Sequence, residues 1–211
     1  MVELHPLFPR AFGFAEKPEL VTEELVYAAK SVPRKPNTNN DVSAPNRLLS
    51  DSKSFLSTSE AGLNSFIMEN LIDFYRNGLG TTDEVQPVIT QSWLTYTKRG
   101  EKMHGHAHPN SVASGVFYIN AVQGLDQLIF EKEVPYQHIK YDYVERNEYT
   151  GKQYIIPVKT GDLILFRSDQ WHYFNEVEHD EERISLAFNS FPIGQFGEED
   201  LLTHLVIDSC T

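Results

Sequence analysis

The alternation of apolar and polar residues divides the chain in two. Before residue 86 the apolar positions recur at three- and four-residue steps. Residues 57–77 form the clearest such run, with Leu63, Phe66, Ile67, Leu71 and Phe74 on one stripe. Ser57 and Glu60 fit an S-x-x-E capping box at its start, and Gly78 suits its end. A second, looser stripe of Leu20, Leu25, Val26 and Ala29 predicts a helix over 18–30, with Pro18 in its first turn. Residues 6–14 read as an apolar strand or arm. Residues 32–54 hold three prolines, four asparagines and four serines, which predicts a long loop, either at the surface or over a substrate.

From residue 87 the period shortens to two. Runs rich in Val, Ile, Thr, Tyr and Phe are separated by Gly, Pro and Asn, the pattern of short strands joined by turns. Strands are predicted near 87–97, 103–108, 113–120, 126–131, 139–145, 153–158, 162–167, 172–178 and 183–191. Strands that follow two helices predict a mainly β (α+β) fold, a jelly-roll or barrel with the N-terminal helices packed on one sheet. At 211 residues a single domain is expected. Residues 1–85 would supply the arm and helices, 86–192 the β core and 193–211 a tail.

Charge and composition narrow the function. The net charge of −12 argues against nucleic acid and against an anionic membrane surface as partners. No apolar run approaches the roughly 18 residues of a membrane-spanning helix. Cys210 is the single cysteine, so no internal disulfide and no cysteine-based metal site can form. The N-terminus lacks a basic segment followed by an apolar one, and a cytoplasmic location is expected.

The candidate chemistry centres on HGHAHPNSVASGVFYIN, residues 104–120. His104, His106 and His108 sit two apart, so extended backbone turns all three to one face. Two imidazoles at i and i+2 can hold a transition metal from one side, and a distant His172 can complete three. The competing reading is a polar patch on an exposed strand edge. Arg183, eleven residues after His172, opens an apolar strand with Ser185 on the same face. A buried arginine needs an anionic partner. That partner is either a neighbouring acid, such as Asp180 or Glu181, or the distal carboxylate of a 2-oxoglutarate co-substrate.

Over residues 90–191 these pieces resemble the 2-oxoglutarate- and Fe(II)-dependent oxygenases. More narrowly, they are similar to an oxygenase group of marine bacteria and their phages, with a prolyl-hydroxylase-like double-stranded β-helix. The motifs are HAHPNS from His106, SGVFYIN from Ser114, PVKTGDLILF from Pro157, the pair Trp171-His172, and RISLAFN from Arg183 to Asn189. The resemblance implies His106, His108 and His172 as ligands of a catalytic Fe(II). It implies Arg183 and Ser185 for the distal carboxylate of 2-oxoglutarate, with Tyr96 and Tyr118 against the co-substrate. Either tyrosine also suits a plain core position. O2 would be the oxidant, and the substrate a small molecule or a peptide. A homodimer remains open, and so does a host cytoplasm if the gene is carried by a phage.

The chain departs from the family pattern at His108, which stands where the wider superfamily has a carboxylate. The centre is one negative charge short, and the imidazole fills the space that a halogenase keeps for halide. A cupin-like dioxygenase without 2-oxoglutarate, a zinc enzyme and a catalytically silent binding module are the alternatives. Only the 2-oxoglutarate reading requires Arg183 in the site.

Overall fold

The computed structural model describes residues 2–37, 48–59, 61–132, 142, 144, 145, 147 and 149–208. Two antiparallel sheets lie face to face as a double-stranded β-helix. The strands, in chain order, are β1 (Phe12–Glu16), β2 (Arg34–Pro36), β3 (Leu48–Ser50), β4 (Gln86–Thr97), β5 (Met103–His106), β6 (Ala113–Asn120), β7 (Gln127–Glu131), β8 (Gln153–Pro157), β9 (Asp162–Arg167), β10 (His172–Phe174), β11 (Arg183–Phe196) and β12 (Leu205–Ile207). The larger sheet runs β1-β9-β6-β11-β4-β3-β2, with β12 paired to the end of β11. The smaller runs β5-β10-β7-β8. Phe130 of β7 packs on Phe166 of β9 at 5.1 Å between ring centres, which joins the two sheets.

Helices cover the outer face of the larger sheet: α1 (Glu23–Ser31), the short α2 (Phe55–Thr58) and α3 (Ala61–Asp73). Thr22 caps α1, accepting the Leu25 N–H at 3.1 Å. Leu63, Ile67 and Leu71 of α3 join Leu94, Phe117, Ile184, Leu186 and Phe188 in one buried cluster. A second cluster, including Tyr118, Leu128, Phe130, Ile164 and Phe166, fills the space between the sheets.

Several local expectations need correction. The helix predicted over 57–77 is broken. Ser57 lies inside α2, where its hydroxyl donates to Ser54 O, and so caps nothing. Contacts with β4 impose the break: Leu56 N–H donates to Ser92 Oγ, and Ser92 N–H to Lys53 O. Glu60 lies outside the described residues. At the other end α3 runs into one π-helical turn, Phe74–Gly78, and the chain leaves at Gly80, whose φ of +75° is the left-handed stop. Gly78 is needed because the Phe74 ring occupies the place of a Cβ. The first helix is shorter than predicted: residues 18–20 form a 3-10 turn and α1 starts at Glu23. The loop predicted over 32–54 is in part strand, since β2 and β3 extend the sheet edge beyond β4. β10 is shorter than predicted and β11 longer, and β1 pairs with β9. The strand predicted at 139–145 falls largely outside the described residues, as does Cys210. No helix among the described residues is long and apolar enough to cross a membrane.

Candidate metal centre

The smaller sheet sets the histidines against one another. In the β10–β5 ladder His172 pairs with His106, and both rings enter the space between the sheets. The chain leaves β5 after His106, and His108 is fixed by its N–H donating to Ser168 O at 2.8 Å. One nitrogen from each of His106, His108 and His172 lies within 4.8 Å of the others. His104 is exposed and outside this group, its ring 5.4 Å from that of His106. Gly105 takes no left-handed backbone angle. It is glycine because the Trp171 indole lies where a Cβ would stand.

Hydrogen bonds select the tautomer of each ring. His106 Nδ1 lies 3.1 Å from His104 O and His172 Nδ1 lies 2.9 Å from Gln170 O. His108 Nδ1 lies 2.5 Å from Asn189 Oδ1. Carbonyl oxygens only accept, so each Nδ1 carries the proton and each Nε2 keeps its lone pair for a metal. Burial holds His172 well below the usual imidazole range, and the neighbouring His106 adds to this. Burial also lowers His108, against the Asn189 hydrogen bond. Neutral rings are the form that ligates, and three converging imidazoles suit Fe, Zn, Cu or Ni.

A polar row continues from this group along β11. Arg183, Ser185 and Asn189 share the inner face, since side chains of a strand alternate. Arg183 is 3% exposed, its guanidinium 3.6 Å from the centre of the Phe174 ring. Its partner is neither of the acids weighed from the sequence: Asp180 pairs with Arg99, and Glu181 is exposed. It is Asp126, reached by Nη1 at 3.3 Å. Asp126 also accepts from Val122 N–H and lies 3.0 Å from His179 Nε2. Arg183 Nε is buried without a partner. A buried cationic donor with a bond unmade fits an incoming carboxylate. Tyr118 is buried beside Arg183, and burial pushes its hydroxyl above the usual tyrosine range, so it remains an O–H donor.

Tyr96 is not brought to this row. It pairs with Ile184, whereas Thr95 pairs with Ser185, so Tyr96 faces the helices. There its hydroxyl donates to Ala29 O at 2.7 Å and Arg34 lies over its ring. Thr95 takes the inner position, 2.5 Å from Ser185 Oγ. Sequence reasoning gave no role to Thr95, Asp126, Ser114 or Asn189. Asn189 carried a signal, since it lies an even number of residues after Arg183. Asp126 carried none, being 57 residues away across the fold.

Residues 91–189 match the family described as "Putative 2OG-Fe(II) oxygenase". Over that stretch, which runs from β4 to β11, the chain is similar to the 2OG-Fe(II) oxygenases. Its cofactors are therefore Fe(II) and 2-oxoglutarate, which the three imidazoles and the buried arginine fit. Solved structures share the fold. A prolyl-4-hydroxylase of Pseudomonas putida is 15% identical, with a TM-score of 0.56 over 86% of this chain and 94% of that one. The epimerase SnoN from nogalamycin biosynthesis, in complex with Fe3+, alpha ketoglutarate and nogalamycin RO, is 10% identical, with a TM-score of 0.60 over 85% and 78%. HygX from Streptomyces hygroscopicus, with nickel, 2-oxoglutarate and hygromycin B bound, is 10% identical, with a TM-score of 0.56 over 85% and 82%. No curated protein matches the sequence.

Proposed function

We propose that this oxygenase hydroxylates a C–H bond of a small-molecule or peptide substrate while 2-oxoglutarate is converted to succinate and CO2. His106, His108 and His172 hold the metal through Nε2. Arg183 receives the distal carboxylate of 2-oxoglutarate, with Ser185 and Tyr118 beside it. One observation carries the reading: a buried guanidinium with an unpartnered Nε lies on the same inner strand face as the residue that anchors His108. A zinc hydrolase or a 2-oxoglutarate-independent dioxygenase has no use for that cation.

The residues bind and orient. The three imidazoles converge from β5, the turn after it and β10, and would hold the metal there. When bound, Fe(II) with 2-oxoglutarate and O2 supplies the oxidising power that no side chain has. Tyr118 and Ser185 offer neutral hydroxyls to the co-substrate, and Phe166 and Phe130 close the inner wall behind His172.

The test has two stages. Anaerobic Fe(II) with 2-oxoglutarate should give a visible charge-transfer band, and air with a substrate library should then release succinate. Absence of both from the wild-type protein would sink the proposal. Among the similar structures are an epimerase and a carbocyclase, so the product must be weighed as well. A hydroxylated product is heavier than the substrate by one oxygen atom. An unchanged mass, or one lower by two hydrogens, would replace hydroxylation with isomerisation or ring closure.

A further inference from the structure

The rings of His106 and His172 are oriented by main-chain carbonyls, His104 O and Gln170 O. No substitution at those positions, short of one that moves the backbone, removes them. The third ring, His108, has side-chain partners: Asn189 Oδ1 at 2.5 Å and Ser114 Oγ at 3.1 Å. We propose that Asn189 is a positioning residue that fixes the tautomer of His108, making it a point where a side-chain exchange can change the charge felt by the centre. The proposal rests on His108 being a metal ligand as proposed above.

A primary amide can face an imidazole in two ways. With Oδ1 toward the ring, His108 donates from Nδ1 and its bare Nε2 points to the centre. With Nδ2 toward the ring, Nδ1 must accept, the proton moves to Nε2, and the ring is blocked as a ligand. The surroundings select the first arrangement. Ser114 Oγ lies 2.8 Å from Asn189 Oδ1 as a donor, and 3.1 Å from His108 Nδ1. Ser114 Oγ is in turn 2.7 Å from Ser168 Oγ, which is 2.7 Å from Ser111 Oγ. Ser111 Oγ lies farther from the main-chain oxygens of Ala113 and Ser190, at 3.2 and 3.1 Å. The row has three protons, and Ser111 donating to Ser168, Ser168 to Ser114 and Ser114 to Oδ1 makes its three shortest links and keeps Oδ1 toward the ring. Ser168 O also holds the His108 N–H, so the same serine anchors the His108 backbone directly and its ring through Ser114.

The consequence concerns charge. His108 stands in the place of a carboxylate, and Asn189 is neutral. An aspartate at 189 accepts the same Nδ1–H and brings a negative charge to the far side of the ring, which raises the basicity of Nε2. Asn189→Asp should thus return through the ring part of the charge that His108 withholds.

The test starts on metal-free protein. Nitrogen NMR of 15N-histidine protein, with His108 assigned by its loss in His108→Gln, should show the His108 proton on Nδ1. Asn189→Ala should lose that preference and bind Co(II) about 10- to 100-fold more weakly. Asn189→Asp should keep the tautomer and bind Co(II) at least as tightly as wild type. A wild-type His108 protonated on Nε2 overturns the proposal without any variant at 189. So does an Asn189→Ala protein with wild-type tautomer and Co(II) affinity, whatever its melting temperature, because that is the behaviour of a merely structural residue. If Asn189→Ala does not fold, Asn189→Asp decides: weaker Co(II) binding than wild type overturns the assignment. A wild-type protein that keeps the Nδ1 proton but binds no Co(II) would sink the metal reading instead, and the two failures remain distinct.

Discussion

Successive side chains of β11 enter two different interiors. Ile184, Leu186 and Phe188 are fully buried against the helices. Arg183 and Ser185, at 3% and 8% exposed, are almost as buried, yet they face the space between the sheets. Burial alone therefore separates nothing here; polarity does. An apolar face needs only close packing, whereas each polar group on the inner face needs a partner. Ser185 has Thr95, Asn189 has His108 and Ser114, and Arg183 has Asp126 for one of its nitrogens. The remainder, Arg183 Nε, is where a ligand has something to gain.

The outer face should give the largest effect on stability. Phe188→Ala opens a cavity over Gly115, whose missing Cβ leaves room for the ring. We expect a loss of about 3–5 kcal/mol, a fall in melting temperature on the order of 10 °C. Metal content per folded chain should stay at the wild-type value. Denaturant titration with metal analysis reads both, and loss of metal from the folded fraction would show that the two faces are not separable.

The inner face should answer the other way. Arg183→Leu removes a charge-assisted partner for the distal carboxylate, a hydrogen bond worth roughly 1.5–3 kcal/mol. The affinity for 2-oxoglutarate should fall about ten- to a few-hundred-fold. The chain should still fold, since Asp126 keeps Val122 N–H and His179 Nε2. Titration of the charge-transfer band measures the change, and an unaltered 2-oxoglutarate affinity would reduce Arg183 to a structural ion pair with Asp126.

Tyr96→Phe sharpens the comparison by one residue. Its hydroxyl bonds Ala29 O on the outer side, so the substitution should lower stability by about 1 kcal/mol. The 2-oxoglutarate affinity should not move. A weakened co-substrate affinity would return Tyr96 to the site and argue against the register of β4 on β11.

How much of this was legible in the sequence depended on the range of the signal. The period of two placed β6 at 113–120 and β9 at 162–167 without error. It also placed Arg183 and Ser185 on one face, because parity is local. Tyr96 was misplaced for the same reason. The resemblance set it against the co-substrate, but the face it takes is set by the pairing of β4 with β11, a long-range fact. The broken helix at 57–77 follows from Ser92 and Lys53, and the partner of Arg183 from Asp126, contacts that no local pattern encodes.

The smallest expected effect concerns His104, which shares the H-x-H spacing with His106 yet stands outside the three-imidazole group. The strand leaves two registers open, because 104 with 106 and 106 with 108 have the same spacing. The fold distinguishes them after β5 ends. His108 is drawn in by Ser168 O at its N–H and by Asn189 Oδ1 at its ring. His104 is exposed, and its main-chain oxygen, not its ring, faces His106 Nδ1. Alanine keeps that oxygen. His104→Ala should therefore leave iron per chain near the wild-type value and stability within about 0.5 kcal/mol, whereas His108→Ala should lose the iron. The reverse result, iron lost with His104→Ala and kept with His108→Ala, would make the ligands 104, 106 and 172. It would also remove the reason for Asn189 to face the centre, so the iron content of these two variants tests the local register and the polar row of β11 together.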